Sequence, residues 1–161
     1  MNIRSILFPT DFSHYNDAAL KLASRLAAEA QATLYIIHVH DVRDLNAAMG
    51  EASYEYASSW DDRRREAHEH LSKVVPTVAG LTYKRECLTG SPVPEILRFA
   101  ECHNVDMIVM ASHGRTGLSR LLMGSIAEGV MRKARCPVLI VKQPADEPEL
   151  ESTVASYSAE C

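Results

Sequence analysis

The sequence predicts an α/β fold, an open five-stranded parallel sheet with helices on both faces. Two observations carry the prediction. Five short strand-like runs alternate with stretches of helical period between residues 3 and 141, and regular β-α alternation implies a parallel sheet covered on both sides. Most of those runs are apolar throughout, as strands buried on both faces must be. Right-handed crossovers restrict the strand orders, and such sheets bind ligands at the carboxyl ends of strands where the winding reverses. Two polar turns could share that crevice, Pro9–Ser13 after the first strand and Ala111–Gly124 after the fourth. Neighbouring first and fourth strands give the order 3-2-1-4-5, with both turns facing one pocket.

Ile3–Phe8 is the first strand, stopped by Pro9. Ser13 is a good N-cap, and Tyr15, Ala19, Leu22, Leu26 and Ala30 follow at helical spacing. Thr33–Val39 is rich in β-branched and aromatic residues and reads as the second strand. Residues 40–55 lack periodicity and read as an irregular insert. Tyr56, Trp60, Ala67, Leu71, Val74 and Val78 mark a second helix, ended near Val75 by Pro76. Its run Asp61–Glu66 reads as a solvated face, since acids flank the arginines. Leu81–Leu88 is a more polar strand, suited to a sheet edge. Ser91 and Pro92 open a third helix through Ile96, Leu97 and Ala100. Val105–Met110 is the fourth strand, Ser125 opens a fourth helix, and Pro137–Val141 is the fifth strand.

Residues 1–143 are expected to form one domain, with 144–161 an acidic, disordered tail. The net charge is −4, but the tail holds five acids and no Lys or Arg, which leaves the body at about +1. A nearly neutral body argues against non-specific nucleic-acid binding. No apolar run approaches the roughly 20 residues of a membrane span. The four cysteines (Cys87, Cys102, Cys136, Cys161) lack C-x-x-C spacing. With no signal peptide visible, they read as reduced thiols of a cytoplasmic protein.

The stretch Met110–Ser125 holds three glycines, four hydroxyl residues, two arginines and no acid. Such a loop suits an anion, phosphate above all. Neither G-x-G-x-x-G after the first strand nor G-x-x-x-x-G-K-[ST] occurs, so the dinucleotide fingerprint and the ordinary P-loop are excluded. Ser125 has two readings. Ser125-Ile126-Ala127-Glu128 fits a capping box, and the same hydroxyl could meet a phosphate. Gly114 and Gly124 could equally be turn residues needing positive φ.

On these residues the chain resembles the universal stress protein family, over nearly all of Met1–Lys142. The specific signature is G-x-x-G-x9-G-[ST] after the fourth strand. Here it reads Ala111-Ser112-His113-Gly114, nine residues from Arg115 to Met123, then Gly124-Ser125, with alanine where the family has its first glycine. Pro9-Thr10-Asp11 matches the family's P-x-D turn, whose acid contacts the nucleotide. The resemblance implies the fold of the adenine nucleotide alpha hydrolase-like class and ATP with Mg²⁺ as ligand. It makes Val39 and Met110 apolar walls beside adenine and Ile126 the apolar residue after the motif serine. It gives the ribose and phosphates to the loop carrying Ala111, His113, Gly114, Arg115, Gly124 and Ser125. It also implies a homodimer paired through the last strand (Val138–Val141) that regulates a protein partner.

Other chemistries compete. His38 and His40 share one side of a strand and could chelate a metal, but no third ligand is evident. His68 and His70 turn to different helix faces. His113 lacks a Ser-His-Asp order or a nucleophile elbow. Asp11 is the only obvious acid for a fast ATPase, and the resemblance assigns it to the nucleoside end, so ATP hydrolysis is expected to be slow or absent. A nucleotide-free scaffold and an AMP- or cAMP-binding protein of the same fold remain alternatives.

Overall fold

The computed structural model describes residues 2–41, 53–112 and 123–142. Strand β1 (Ser5–Pro9) is buried along its whole length. A single 3₁₀ turn (His14–Asn16) leads into helix α1 (Asp17–Ala30), followed by β2 (Thr33–Asp41). Helix α2 (Ser53–Lys73), β3 (Tyr83–Gly90) and α3 (Pro92–Cys102) come next. Strand β4 (Met107–Ala111), α4 (Ser125–Lys133) and β5 (Val138–Val141) complete the alternation. The five strands form one sheet in the order β3-β2-β1-β4-β5, every neighbouring pair parallel. This is the order the two polar turns predicted, and β3 does lie at an edge.

Alternation along the strands divides the core in two. Ile6, Phe8, Leu34 and Ile36 point to one face, where they meet α1 and Leu71 of α2. Leu7, Ile37, Ile108 and Met110 point to the other, against Ile96 and Phe99 of α3 and Ala127 and Val130 of α4. Helix α1 meets the sheet through Ala19, Ala23 and Ala27, all fully buried; side chains this small let helix and sheet approach closely. Helices α3 and α4 are equally close, since a Cβ on Gly129 would stand 2.9 Å from Val93 Cγ2. Asp106 ties the start of β4 to β1: its Oδ2 accepts from the main-chain N–H of Arg4 (2.9 Å) and Ser5 (3.0 Å) and from Ser5 Oγ (3.0 Å).

Besides one- or two-residue shifts at the ends of β1, β3, β4 and β5, four features differ from the sequence expectation. Ser13 does not cap the first helix, because the 3₁₀ turn intervenes and its hydroxyl turns back to Asp11 (2.7 Å). Strand β2 runs on through His40 and Asp41, held by pairing with Thr89 and Gly90 of β3. Helix α2 starts at Ser53, inside the stretch expected to be irregular, and stops before Val74. A residue that precedes proline disfavours the helical region, and here the break falls two residues ahead of Val75-Pro76. Ser125 is the first helical residue and Gly124 the N-cap, so the capping-box reading of Ser125 does not hold. Among the described cysteines, Cys87, Cys102 and Cys136 are unbridged. No helix among the described residues is long and apolar enough to cross a membrane.

Candidate functional site

The carboxyl ends of β1, β2 and β4 open into a cavity of about 570 Å³, well within the range of small-molecule sites. Its first wall is the turn after β1. Pro9 has no N–H to donate, and Thr10 resumes the ladder by donating to the Ile37 carbonyl (2.8 Å). Asp11 Oδ1 then gathers three donors: Ser13 N (3.0 Å), Ser13 Oγ (2.7 Å) and Asn16 Nδ2 (2.5 Å). The first is an Asx turn, and Asn16, itself buried, locks the carboxylate from the side.

Phe12 pays for this geometry with a left-handed backbone, φ +66°, which a bulky residue seldom adopts. Its N–H donates to Thr10 Oγ1 (3.0 Å). Its ring stacks on His38 at 4.2 Å between centroids and meets His70 of α2 edge-on at 5.4 Å. His38 Nδ1 lies 2.8 Å from the Thr10 carbonyl; a carbonyl only accepts, so Nδ1 carries the proton there.

The β2 end contributes to both sides of the sheet. Val39 faces the α3–α4 side with Met110 and Ile126, whereas His38 and His40 face α2, their rings 6.3 Å apart. The metal reading of that pair gains no third ligand, since among the described residues no three of His, Cys, Asp and Glu are grouped to hold an ion.

The third wall is the junction of β4 and α4. Ser112 N–H donates to the Val141 carbonyl (2.9 Å), and the Ser112 carbonyl accepts from Gly124 N–H (2.8 Å). Gly124 sits at φ −62°, ψ 145°, a conformation open to any residue, so the positive-φ reading of this glycine is overturned. Glu128 N–H makes the first intrahelical bond, to the Gly124 carbonyl (2.9 Å). The amides of Ser125, Ile126 and Ala127 therefore precede the helical ladder, at the positive end of the helix dipole and on the cavity wall. Ala111 also lines the cavity, but it is buried within the α1-side core.

Of the residues named from the sequence, Pro9, Thr10, Asp11, Val39, Met110, Ala111, Gly124, Ser125 and Ile126 line this one cavity. His113, Gly114 and Arg115 lie outside the described residues. Sequence reasoning missed Phe12, Asn16, His70 and the Arg63–Glu66 pair of α2, all on the cavity wall. Asp11 is also joined there by Asp41 and Glu66, so it is not the only acid at the site. The solvated reading of the Asp61–Glu66 run holds for Asp62 and Arg65, which pair at 2.6 Å in solvent. It holds as well for Arg63 and Glu66, which are exposed at the rim of the cavity. Their signal was the spacing 63, 66, 67, 70, hidden because charged residues do not mark a cavity rim.

A model of the universal stress protein family matches residues 2–142. The chain belongs to that family. A universal stress protein of Methanocaldococcus jannaschii is 40% identical over 146 residues, covering 89% of this chain and 85% of its own. The solved structure of a second M. jannaschii universal stress protein, reported under the heading of structure-based assignment of biochemical function, superposes with a TM-score of 0.72. It is 29% identical and covers 90% of this chain and 99% of its own. The fold is also that of an Archaeoglobus fulgidus universal stress protein solved in complex with dAMP, at TM-score 0.60 and 23% identity, covering 87% and 98% of the two chains.

Proposed function

We propose that the protein is a cytoplasmic, homodimeric universal stress protein that binds ATP and regulates a protein partner. The nucleotide lies between the Asp11 turn and the segment from Ala111 to Ser125. Its phosphates take the free amides at the start of α4, with the Ser125 hydroxyl beside them, and Mg²⁺ would accompany them to offset their charge. The ribose meets Asp11, and adenine packs against Val39 and Met110. His113, Gly114 and Arg115 complete the loop side.

One observation carries this reading. Helix α4 opens onto the cavity with a glycine N-cap that its backbone does not require, followed by a serine not spent on capping. A missing Cβ at that point serves close approach by a ligand, and amides at a helix start serve an anion. The dAMP complex of the A. fulgidus protein is a precedent for an adenine nucleotide in this fold. The dimer pairs β5 with its mate: among the described strands β5 pairs only with β4 and leaves Leu139 exposed, and an unpaired apolar edge favours a partner strand.

The test is thermal and calorimetric titration of the purified chain with Mg²⁺–ATP, AMP and cAMP in competition. At a ligand concentration about 100-fold above Kd, binding adds about 2.7 kcal/mol of stability. For a chain of this size that raises Tm by about 5–10 °C. No heat and no Tm rise with millimolar nucleotide overturns the proposal, and AMP or cAMP winning the competition replaces ATP as the ligand.

A further inference from the structure

His38, buried near the carboxyl end of β2, is a polar group that the nucleotide reading does not use. Side chains alternate along a strand, so it points away from the face on which Val39 packs with the α3–α4 core. It grips the turn after β1 at two places. Its Nδ1 donates to the Thr10 carbonyl (2.8 Å), and its ring stacks on Phe12 at 4.2 Å between centroids. Asp11 is the residue between those two. Thr10 N–H is itself bonded to the Ile37 carbonyl (2.8 Å), so Thr10 is tied to two consecutive residues of β2.

The turn is held against a local preference. Phenylalanine at φ +66° is strained, and left to itself this backbone returns to negative φ. That rotation turns the chain carrying Ser13, and with it two of the three donors that fix Asp11 Oδ1. Three contacts oppose it: the Phe12 N–H bond to Thr10 Oγ1 (3.0 Å), the His38 stack and the edge-on His70 of α2 at 5.4 Å. A strained residue and a single hydrogen bond are of similar size. Removing the histidine's share therefore changes the population of the turn severalfold.

We infer that His38 is a positioning residue, which holds Thr10 and Phe12 so that Asp11 is presented to the nucleotide. The inference rests on the nucleotide reading above, in which Asp11 meets the ribose and the base packs on Val39. His38 stands on the other side of the sheet from Val39 and acts through the turn, not by touching the ligand. Apparent affinity falls in proportion to the fraction of protein that is competent to bind, so loss of the tie is read directly as lost affinity.

The experiment is isothermal titration of the full chain with Mg²⁺–ATP, for the wild type and three variants whose fold is checked by circular dichroism. His38→Asn keeps an N–H donor at the position of Nδ1 but has no ring. His38→Leu keeps apolar bulk but has no donor. The double variant His38→Leu, Phe12→Gly adds a residue that takes positive φ freely. His38→Leu weakens binding about 3- to 10-fold, and His38→Asn stays within about 3-fold of the wild type. The double variant recovers most of the loss, because glycine at this φ needs no clamp. A side chain that only fills the core gives the opposite order, with His38→Leu binding more tightly than His38→Asn. Where His38→Leu does not fold, His38→Gln replaces it, since its amide reaches past Nδ1 to the Nε2 position. Three results overturn the inference and leave nucleotide binding intact: His38→Asn no better than the donor-less variant, a double variant no tighter than His38→Leu, or affinity unchanged throughout. A wild type that binds no ATP overturns the nucleotide reading, and this inference with it.

Discussion

Replacing Gly124 by aspartate sets the two roles of that residue against each other. Its backbone, at φ −62° and ψ 145°, accepts any side chain without strain. It is the N-cap of α4, where aspartate outranks glycine by a few tenths of a kcal/mol. The carboxylate also meets the positive helix end, worth about 0.3–1 kcal/mol. The ligand-free Gly124→Asp protein is therefore more stable by about 0.5–1 kcal/mol and melts about 1–4 °C higher. With nucleotide the sign reverses. The new charge stands beside the amides of Ser125 to Ala127, where the phosphates bind. Two unit charges about 4 Å apart in a partly screened site repel by about 4 kcal/mol, roughly a thousandfold in affinity. Scanning fluorimetry with and without Mg²⁺–ATP reads both effects. A ligand-free Tm that drops by several degrees shows the glycine to be structural, and an ATP-induced rise that persists shows the phosphates to lie elsewhere. Either result refutes the reasoning.

Two further substitutions probe, in turn, the tie between the starts of β1 and β4 and the lock on the site's first wall. Asp106→Ala leaves the Ser5 hydroxyl and two amides without their acceptor, a cost of about 1–3 kcal/mol by urea denaturation at pH 7. The Arg4 main-chain hydrogen bond holds the Asp106 carboxyl below its usual range, with Ser5 adding to it against a smaller opposing effect of burial. That stabilisation is complete above the unfolded pKa of about 3.9 and is lost as pH falls through the lower folded value. The gap between wild type and variant closes in acid, and a constant gap down to pH 2 contradicts the assignment. Asn16→Ala removes the 2.5 Å hydrogen bond to Asp11 and weakens nucleotide binding about 3- to 10-fold, one hydrogen bond's worth of positioning; calorimetry that finds the affinity unchanged shows that Asn16 does not position the carboxylate for the ligand.

The sheet order was legible because the two polar turns could share a crevice only if β1 and β4 are neighbours. The strands were legible because burial on both faces leaves unbroken apolar runs, as in Ile6-Leu7-Phe8. Boundaries were less so where tertiary pairing overrode local preference. His40 and Asp41 stay in β2 because β3 offers them partners, and nothing local announces that. The Ser125 capping box failed because helix start is decided by the backbone of Gly124, which a pattern of side chains does not reveal. Phe12 was invisible for another reason: its positive φ serves contacts with His38 and His70, 26 and 58 positions away. The α2 wall was hidden by composition, since a face that lines a wet cavity carries the same residues as one in solvent.

Ser112 has a consequence for how this family can diversify. Its main-chain N–H donates to the Val141 carbonyl and its carbonyl accepts from Gly124 N–H. Ser112 and Gly124 are thus stapled to each other and to the last strand by bonds that any residue but proline at those two positions could make. Closing a longer insert across such a staple costs only about 0.6 kcal/mol for each doubling of its length. Evolution, or an engineer, can lengthen or exchange the sequence between Ser112 and Gly124 while the bonds at its two ends stay as they are.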